Sequence, residues 1–351
     1  MEPGSVPGLR RSSSCQQIQA QTVHRPFFSV VVPTYNRLGR LRHVIAALEQ
    51  QAYPSDAYEV IVISDGSTDG TDAYLETLRS PMRLRWSTQA NQGPASARNA
   101  GIEKAVGEFI VFIDDDVVAE PQLLEEHARS HHEAGRDVVV LGPLLTPEGF
   151  EMAPWVRWEQ EMLMKQYRAM LRGDWTATAR QFYTGNASLR RSHILAAGGF
   201  DEGFRRAEDV ELAYRLASNG LEFVFNIKAA GMHFADRSYR AWLDAAYTYG
   251  RNDVIFARDL NQDWLLPTIR REFLDRHFLI RSLVRVCSGR SQLTRIVSSV
   301  LKLAADGATL LRASVIEGKA YSGLFNLQYY NGFFNELDDV HFLFKDVENP
   351  A

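Results

Sequence analysis

Three adjacent carboxylates stand at the end of an apolar run of strand length. Asp114, Asp115 and Asp116 directly follow residues 109–113, Phe-Ile-Val-Phe-Ile. A β-strand that is buried on both faces has such a continuous hydrophobic sequence, and ligands of open α/β sheets bind beyond the carboxyl ends of the strands. Neighbouring acids repel one another unless they share a cation, and Mg²⁺ or Mn²⁺ meets that need while also binding substrate phosphates. The run therefore indicates a divalent-cation site; the alternative is a solvated acidic turn.

Two other predicted strands also end in polar residues. The strand 27–32 is expected to stop where Pro33 cannot donate to a sheet, and the strand 58–63 leads into the turn residues 64–70. Because the carboxyl ends of parallel strands lie along one edge of a sheet, we expect the three clusters to converge there. The predicted nucleotide-binding set consists of Pro33, Thr34, Tyr35, Asn36, Asp65, Arg98, Asp114 and Asp115.

Several members of this set suit a particular part of a nucleoside diphosphate. Tyr35 can stack on a base, Asp65 can accept a hydrogen bond from a pyrimidine N–H, and Asp114 can accept one from a ribose hydroxyl. Asp116 can hold a metal that bridges the diphosphate, and Arg98 adds a cation on the same side. Taken alone, Tyr35 could equally pack against the following helix and Arg98 could pair with a surface acid. Neither the Gly-rich dinucleotide fingerprint nor the Walker A spacing is present, which argues against a dinucleotide dehydrogenase and a P-loop NTPase.

The elements that would position these residues alternate between strand and helix four times within about 110 residues, which is typical of a parallel sheet with right-handed crossovers. In this first part, helices are predicted over 38–51, 71–78, from Pro94 onward and over 120–134, and further strands over 82–87 and 138–145. The second part is predicted to contain a helix at 151–171, a strand at 182–189, a helix at 208–219 and a strand at 223–225. Beyond about residue 238 the chain is expected to be mostly helical.

The composition is that of a soluble globular protein, with a formal net charge of −4 over 351 residues. Two cysteines, Cys15 and Cys287, cannot build a disulfide framework and favour a reducing compartment. No uncharged apolar run reaches about 18 residues, so no transmembrane helix is predicted. Residues 1–25 lack the apolar core of a signal peptide and are predicted to be disordered. The expected location is the cytoplasm.

As an ordered set, the motifs of residues 27–235 resemble family 2 of the nucleotide-sugar glycosyltransferases, which have the GT-A fold, a Rossmann-like α/β architecture with a mostly parallel central sheet. The resemblance implies transfer of a sugar from a nucleotide donor, usually a UDP-sugar, with inversion at the anomeric carbon. It also implies that Asp116 is the metal-binding acid of the D-x-D motif, Asp114 a ribose contact and Asp65 a base contact. The motifs are SVVVPTYN, ISDGSTD, GPASARNAG, FIDDD, TGNASL, GGFD and the pair Glu208-Asp209.

The same resemblance suggests a catalytic role for the second acidic pair. Inversion by single displacement needs a carboxylate that takes the proton of the acceptor hydroxyl. Asp209 matches the second acid of the family's E-D motif and is interpreted as the general base, with Glu208 positioning it or holding the acceptor. The alternative is that both residues form the acidic first turn of a helix, where the helix dipole favours them.

Other residues are assigned to the metal and to the acceptor. His233 resembles a histidine that completes the metal shell in many members of the family, and imidazole suits Mn²⁺ better than Mg²⁺. It could equally be a buried structural residue. Asn186, Trp155 and Trp158 are predicted to line the acceptor side, because sugar rings stack well on aromatic faces; core packing is the alternative for both tryptophans.

These assignments divide the chain into a GT-A domain at 26–237 and a helical region at 238–351. The nucleotide-binding half would be 26–118 and the acceptor-binding half 119–237. The expected acceptor is a glycan, a lipid-linked sugar or a small molecule. Two other functions stay open, namely a sugar-phosphate nucleotidyltransferase and a non-catalytic nucleotide-sugar-binding protein. The first normally has a Gly-rich loop after its first strand, where this chain has residues 33–37, Pro-Thr-Tyr-Asn-Arg.

The C-terminal third is distinguished by its charge. Between Thr268 and Lys302 there are eight basic and two acidic residues, so the segment carries +6 and the rest of the chain −10. Apolar residues alternate with these arginines, and a basic amphipathic helix can lie on an anionic membrane. Residues 268–302 are therefore a candidate for peripheral membrane contact; the alternative is a helical subdomain packed on the sheet with a solvated basic face. The segment lacks a recognisable nucleic-acid-binding module.

Overall fold

The computed structural model describes residues 25–344. The segment predicted to be disordered, apart from Arg25, lies outside the described residues, as does Cys15. The described strands, in chain order, are β1 (Phe28–Thr34), β2 (Tyr58–Ser64), β3 (Arg83–Thr88), β4 (Phe109–Ile113), β5 (Val117–Ala119), β6 (Val138–Leu141), β7 (Leu144–Leu145), β8 (Asn186–Arg190), β9 (Glu222–Phe225) and β10 (Gly231–His233).

Seven α-helices alternate with these strands in residues 25–237, and five further α-helices follow. They are α1 (Leu38–Leu48), α2 (Thr71–Thr77), α3 (Pro94–Lys104), α4 (Leu123–Ala134), α5 (Pro154–Arg172), α6 (Arg191–Ala196), α7 (Glu208–Ser218), α8 (Tyr239–Asp259), α9 (Leu265–Asp275), α10 (Phe278–Cys287), α11 (Ser291–Leu310) and α12 (Ser314–Leu337). The helical C-terminal region is thereby confirmed. No helix between residues 25 and 344 is both long enough and apolar enough to cross a bilayer.

Seven strands form the central sheet in the order β3-β2-β1-β4-β8-β6-β9. All its pairings are parallel except those of β8, which runs antiparallel to both β4 and β6. The predicted mostly parallel sheet is confirmed. Because β1, β2 and β4 are parallel neighbours, their carboxyl ends meet at one edge, and the polar residues that follow them are brought together there.

Two strand predictions need correction. β1 does not stop before Pro33 but continues to Thr34, since Pro33 lies beyond the end of the β1–β4 ladder and its missing N–H leaves no β4 carbonyl unpaired. The strand predicted over 138–145 is two strands in different sheets. The chain turns at Gly142 and Pro143, and Leu144–Leu145 then joins a small second sheet in the order β5-β10-β7.

The sheet is buried on both faces, and its side chains alternate between two cores. Val30, Val60 and Val111 point to the side of α1 and α4, whereas Val31, Ile61 and Phe112 point to the side of α3 and α7. The second core continues without interruption into Phe273 of α9, Val284 of α10 and Phe333 of α12. The C-terminal helices therefore pack on the sheet and complete one of its two faces.

Helices α8 and α12 approach each other through a reciprocal pair of glycines. A Cβ atom on Gly250 would lie 1.9 Å from the carbonyl oxygen of Tyr329, and one on Gly332 would lie 2.0 Å from that of Tyr247. Both neighbours are backbone atoms, so neither can swing aside as a side chain would. The absence of a side chain at these two positions sets the spacing of the two helices.

We expect the substitution Gly250→Ala to lower the free energy of unfolding by about 1–3 kcal/mol or more, because the added methyl group overpacks this contact. Gly307→Ala in α11 is the matched control, since nothing lies within 4 Å of its Cβ position. There the same change should raise stability by about 0.5–1 kcal/mol through helix propensity. Urea unfolding of both variants measures the difference, and equal effects would contradict the close contact.

Candidate functional site

A buried arginine joins two acidic clusters that are far apart in the sequence. Arg98 of α3 donates through Nη1 to Glu208 Oε1 at 2.8 Å and through Nη2 to Asp114 Oδ1 at 2.7 Å. Its side chain is only 5% exposed. The sequence-based alternative, a pair with a surface carboxylate, is therefore wrong. The guanidinium holds the first residue of α7 against the end of β4, so the E-D pair and the aspartate run belong to the same site.

Asp209 follows Glu208 at the start of α7, and its Oδ1 accepts a hydrogen bond from the backbone N–H of Val210 at 2.8 Å. Burial and the negative charges of Glu208 and Asp114 together raise the pKa of the Asp209 carboxyl to about 7, against the opposing charge of Arg98. Glu208 and Asp209 both lie in the first turn of α7, which agrees with the predicted alternative of an acidic helix start. Asp209 is the chain neighbour of Glu208, which Arg98 joins to Asp114, so Asp209 stands beside the same acidic site.

Asp115 and Asp116 are both buried at the other side of Asp114. Asp115 Oδ2 accepts a hydrogen bond from Thr34 Oγ1 at 2.8 Å. Arg37, which follows β1, donates to Asp116 Oδ2 and lies 3.5 Å from Asp115 Oδ1. Burial raises the pKa of Asp115 to about 7, although Arg37 and Thr34 oppose the shift. The two acids thus face a cation that is part of the chain itself.

His233 is brought to Asp116 by the small sheet. Antiparallel pairing of β10 with β5 sets His233 opposite Val117, and Nε2 of His233 lies 3.6 Å from Asp116 Oδ1. A carboxylate oxygen and an imidazole nitrogen at this separation suit Mn²⁺ and, less well, Mg²⁺. Residues 25–344 contain no cluster of three or more candidate ligands. Asp116 and His233 alone are two ligands, so an ion held here with further ligands from a diphosphate and water stays a prediction.

The loops after β1 and β2 are tied together by side chains. Asn36, whose left-handed backbone has a φ of 53°, accepts a hydrogen bond from the Thr68 N–H at 2.7 Å and donates its own N–H to Ser67 Oγ at 3.0 Å. Asp69 accepts from the N–H groups of Leu38 and Thr71 and so caps two helices. Asn36 is therefore a loop-clamping residue in this structure, and a direct contact with a nucleotide stays a prediction.

Tyr35 and Asp65 border the same edge with different exposure. Tyr35 is 49% exposed, so part of its side chain is open to a ligand, and stacking on a base stays a prediction. Asp65 is buried and accepts three hydrogen bonds, from Gln89 Nε2 and from the backbone N–H groups of Gln92 and Gly93. A carboxylate has about four lone-pair sites, so one acceptor position is left for a ligand.

Asn186 is a correction to the predicted acceptor set. Its side chain is fully buried, and its amide donates to the carbonyls of Pro143 and Ala229 at 3.1 and 2.7 Å while its Oδ1 lies 3.0 Å from His127 Nε2. All of its hydrogen-bonding groups are occupied inside the protein. Asn186 thus connects the end of β8 to the chain between the two sheets, and it does not line an acceptor surface.

The two tryptophans of α5 face the C-terminal helices. Trp158 packs edge-on against Trp242 of α8 and also contacts Phe325 of α12, which supports the core-packing alternative for it. Trp155 donates its indole N–H to the carbonyl oxygen of Arg237 at 2.8 Å and packs against Tyr239. Both are only partly buried. Their contacts are those of a helix–helix interface, and an acceptor-binding role for Trp155 and Trp158 stays a prediction.

Arg37 is the site residue that the motifs did not identify. Its signal in the sequence is a basic residue immediately after Pro-Thr-Tyr-Asn, at the end of a strand whose neighbour ends in aspartates. The strand order β2-β1-β4, which the sequence does not specify, is what brings it to Asp116.

We expect Arg98→Met to lower the free energy of unfolding by about 3–5 kcal/mol, because Glu208 and Asp114 would lose the cation that pairs with them. Arg136→Met is the matched control. It breaks a pair with Glu222 whose side chains are 62% and 61% exposed, and should cost less than about 1 kcal/mol. Urea denaturation measures both, and similar losses would show that Arg98 does not hold the site together.

Comparison with known proteins agrees with this geometry. Residues 29–196 match the family model described as glycosyl transferase family 2. The validoxylamine A glucosyltransferase of Streptomyces hygroscopicus subsp. jinggangensis is 31% identical over 239 residues, which are 60% of this chain and 56% of that protein. The glycosyltransferase AglE of Haloferax volcanii is 27% identical over 254 residues, covering 71% of this chain and 78% of AglE. The chain spans about half the length of the Streptomyces relatives that it matches.

Solved structures with the same fold are also found. The mannosyltransferase PcManGT of Pyrobaculum calidifontis, in complex with GDP-Man and Mn²⁺, has a TM-score of 0.55 and 20% identity, with 88% of this chain and 87% of that chain covered. TarS 1–349 of S. aureus in complex with UDP has a TM-score of 0.52 and 20% identity, with coverage of 89% and 92%. The expected resemblance and fold are confirmed: residues 29–196 match glycosyl transferase family 2, and the chain has the GT-A fold of these solved structures.

Proposed function

We propose that this chain transfers a sugar from a nucleotide donor, with a UDP-sugar as the first candidate, to an acceptor hydroxyl with inversion at the anomeric carbon. One observation carries the proposal. Arg98 binds Asp114 and Glu208 together, so Asp209 stands next to the acids that would hold the donor. Relatives named as glucosyltransferases, and TarS with bound UDP or UDP-GlcNAc, support the same reaction class. PcManGT with GDP-Man keeps a guanine donor as the second candidate.

The donor would lie across the carboxyl ends of β2, β1 and β4. The exposed ring of Tyr35 is free to stack on the base, and Asp65 keeps an acceptor position for a base N–H. Asp114, whose side chain is 36% exposed, can accept from a ribose hydroxyl through its second oxygen while Arg98 holds the first. Pro33, Thr34, Asn36 and Asp115 would shape the site without touching the reacting atoms, since each is engaged by the protein backbone or by another loop.

Asp209 would be the general base. As the acceptor oxygen forms its bond to the anomeric carbon, Asp209 takes the hydroxyl proton and the bond to the nucleoside diphosphate breaks. A carboxyl with a pKa near 7 is well matched to this task at neutral pH. Glu208, paired with Arg98, would position it. Asp116 and His233 would hold Mn²⁺ or Mg²⁺, which when bound neutralises charge on a leaving diphosphate.

The other two functions are less well supported. A sugar-phosphate nucleotidyltransferase would need a Gly-rich, Arg-containing loop after β1, whereas β1 runs through Pro33 to Thr34 and is followed by a clamped turn at Asn36. A non-catalytic binding protein would have no need for Asp209, which burial and neighbouring acids keep poised near neutrality. The acceptor, whether glycan, lipid-linked sugar or small molecule, is left open by both the fold and the relatives.

Nucleotide release from a panel of UDP- and GDP-sugars in the presence of Mn²⁺ tests the proposal. We expect release of nucleoside diphosphate from one donor, and Asp209→Asn should lower the rate by about 10²–10⁴-fold without weakening donor binding, because the amide cannot take a proton. Asp244→Asn, at a side chain 69% exposed on α8, is the matched control and should be unchanged. Pyrophosphate exchange instead of diphosphate release would indicate the nucleotidyltransferase.

The pH dependence of the same reaction tests whether the pKa of Asp209 is raised. The general base works only when ionised, so kcat/KM should fall as pH drops through about 7 and level off above about 8. A profile that stays flat to pH 5 would contradict a raised pKa for the general base, because a carboxyl with an ordinary pKa is still ionised there.

We also propose that residues 268–302 and the end of α11 contact an anionic membrane. Of the 17 large exposed hydrophobic side chains in the described part of the chain, twelve lie between residues 264 and 316. On α11 the exposed Ile296, Val300, Leu303 and Leu310 recur at the spacing of a single helix face. The arginines at 281, 285, 290 and 295 form no ion pair with any carboxylate of residues 25–344. Unpaired positive charge beside an apolar face is complementary to anionic lipid.

Co-sedimentation with vesicles tests this contact. We expect binding at low salt to phosphatidylserine-containing vesicles and little binding to phosphatidylcholine alone. The triple variant Ile296→Ser, Val300→Ser, Leu303→Ser should weaken binding at least about tenfold, since each buried side chain of this kind contributes about 1.5–3 kcal/mol. The matched triple variant Val106→Ser, Leu171→Ser, Leu195→Ser removes exposed apolar residues elsewhere and should bind normally. No binding to the vesicles at low salt would contradict the proposal. A concentration-dependent dimer that only the α11 triple variant abolishes would also contradict it, because the apolar face would then bind a second copy of the chain.

A further inference from the structure

The side chain of Arg37 occupies the carboxylate of Asp116, which is also the predicted ligand of a divalent ion. Asp116 Oδ2 accepts a hydrogen bond from Arg37 Nη1, while Asp116 Oδ1 lies 3.6 Å from His233 Nε2. Asp115 Oδ1 is 3.5 Å from the same nitrogen of Arg37. The Arg37 guanidinium therefore occupies Asp116, the carboxylate that would hold a divalent ion together with His233. Binding of that ion must either displace Arg37 or bring two cations into close contact.

The two arginines of the site differ in their freedom to move. Arg98 is buried and fixed between two carboxylates. The Arg37 side chain is 42% exposed, and its ion pairs within residues 25–344 are those with Asp115 and Asp116 at the end of a long side chain. Five acids stand at positions 114, 115, 116, 208 and 209, and within residues 25–344 the arginines that form ion pairs with them are Arg37 and Arg98, so the acids outnumber the paired cations. A divalent ion can enter without a penalty in net charge if Arg37 moves away from Asp116.

The turn after β1 keeps the backbone of Arg37 in place while its side chain stays available. Arg37 occupies the position before the first residue of α1 but makes no capping hydrogen bond there. Asp69 Oδ2 accepts the hydrogen bond from the Leu38 N–H instead, at 2.8 Å. Asn36, just before Arg37, is clamped to Ser67 and Thr68. Movement is therefore confined to the Arg37 side chain, whose base is held next to the predicted diphosphate position.

We propose that Arg37 is a placeholder for the metal: its guanidinium neutralises Asp116 until a divalent cation binds there, and it then turns to the diphosphate of the donor. The proposal rests on the donor site proposed above. A guanidinium binds phosphate oxygens in the same forked geometry that it uses for carboxylates, so the exchange replaces one charge-assisted contact with another. The order is enforced by repulsion, because Arg37 gains from leaving Asp116 only when a second cation is present there.

If Arg37 has this role, it lowers the affinity of the protein for the divalent ion and raises its affinity for the diphosphate. Without nucleotide, Arg37 lowers the affinity for the ion, since only the fraction of molecules with a free Asp116 can bind it. With the ion bound, Arg37 raises the affinity for the diphosphate. Without the ion, it has little effect on the nucleotide, because it stays on Asp116. A residue that only stabilises the fold, or only adds positive charge, cannot produce this combination.

Isothermal titration calorimetry of Arg37→Met tests all three consequences. We expect Mn²⁺ alone to bind the variant at least about threefold more tightly than the unaltered protein. In saturating Mn²⁺, UDP should bind Arg37→Met at least about tenfold more weakly than the unaltered protein, because the variant lacks the charge-assisted hydrogen bonds to phosphate. In chelator, UDP should bind both proteins within about twofold. Asp116→Ala, as a check on the site, should abolish the Mn²⁺ signal in either background.

Arg40→Met is the matched control for the removal of a nearby positive charge. Arg40 lies one turn along α1, with its guanidinium carbon 4.9 Å from the ring centre of Phe234 and 5.4 Å from that of Phe150. It should leave Mn²⁺ affinity near that of the unaltered protein. Equal effects of Arg37→Met and Arg40→Met, weaker Mn²⁺ binding in Arg37→Met, or no Mn²⁺ binding by either protein would each overturn the placeholder role. Sugar transfer itself is measured separately by nucleotide release, so its failure and this one are distinguishable.

Discussion

The buried guanidinium of Arg98 is the interaction on which the site depends. A charge that is removed from water must be paired, and this one is paired twice, with Asp114 directly after β4 and with Glu208, the first residue of α7. The helix that carries Arg98 is itself held close to β1, because a Cβ atom on Gly101 would lie 2.4 Å from Val31 Cγ1. The position of the second acidic pair relative to the first is thereby set by one side chain on a closely packed helix.

The same site concentrates more negative charge than its arginines neutralise. Burial and mutual repulsion raise the pKa of both Asp115 and Asp209 to about 7. A carboxyl whose pKa is higher in the folded state than in the unfolded chain makes the folded state less favourable as pH rises through that interval, from about 4 to about 7. The acids thus lower the stability of the empty site, and a bound cation together with a bound substrate can recover that free energy. Such an arrangement is typical of a site that is built to bind rather than to stabilise the fold.

The C-terminal helices have two faces with different physical roles. Their inner face completes the core on one side of the sheet, where Phe273 and Phe333 share a cluster with Val31 and Phe112. Their outer face keeps apolar side chains in solvent, and the arginines at 281, 285, 290 and 295 form no ion pair with a carboxylate of residues 25–344. The predicted alternative of a subdomain packed on the sheet is correct for the inner face, and it leaves the outer face unexplained. Both properties follow from helices whose apolar residues exceed the width of a single buried stripe.

The sequence by itself determined the α/β architecture and the edge at which the acids collect. Continuous apolar runs identify buried strands, and a strand that ends in Asp114 to Asp116 has its carboxylates at the ligand-binding edge whatever the order of its neighbours. The tertiary structure alone decided which residues share that edge. The antiparallel insertion of β8, the partnership of Arg37 with Asp116 and the burial of Asn186 depend on strand order and on contacts between distant segments. Neither periodicity nor propensity encodes those contacts, because both are properties of neighbouring residues in the chain, whereas a buried charge or amide is satisfied by whatever the completed fold places beside it.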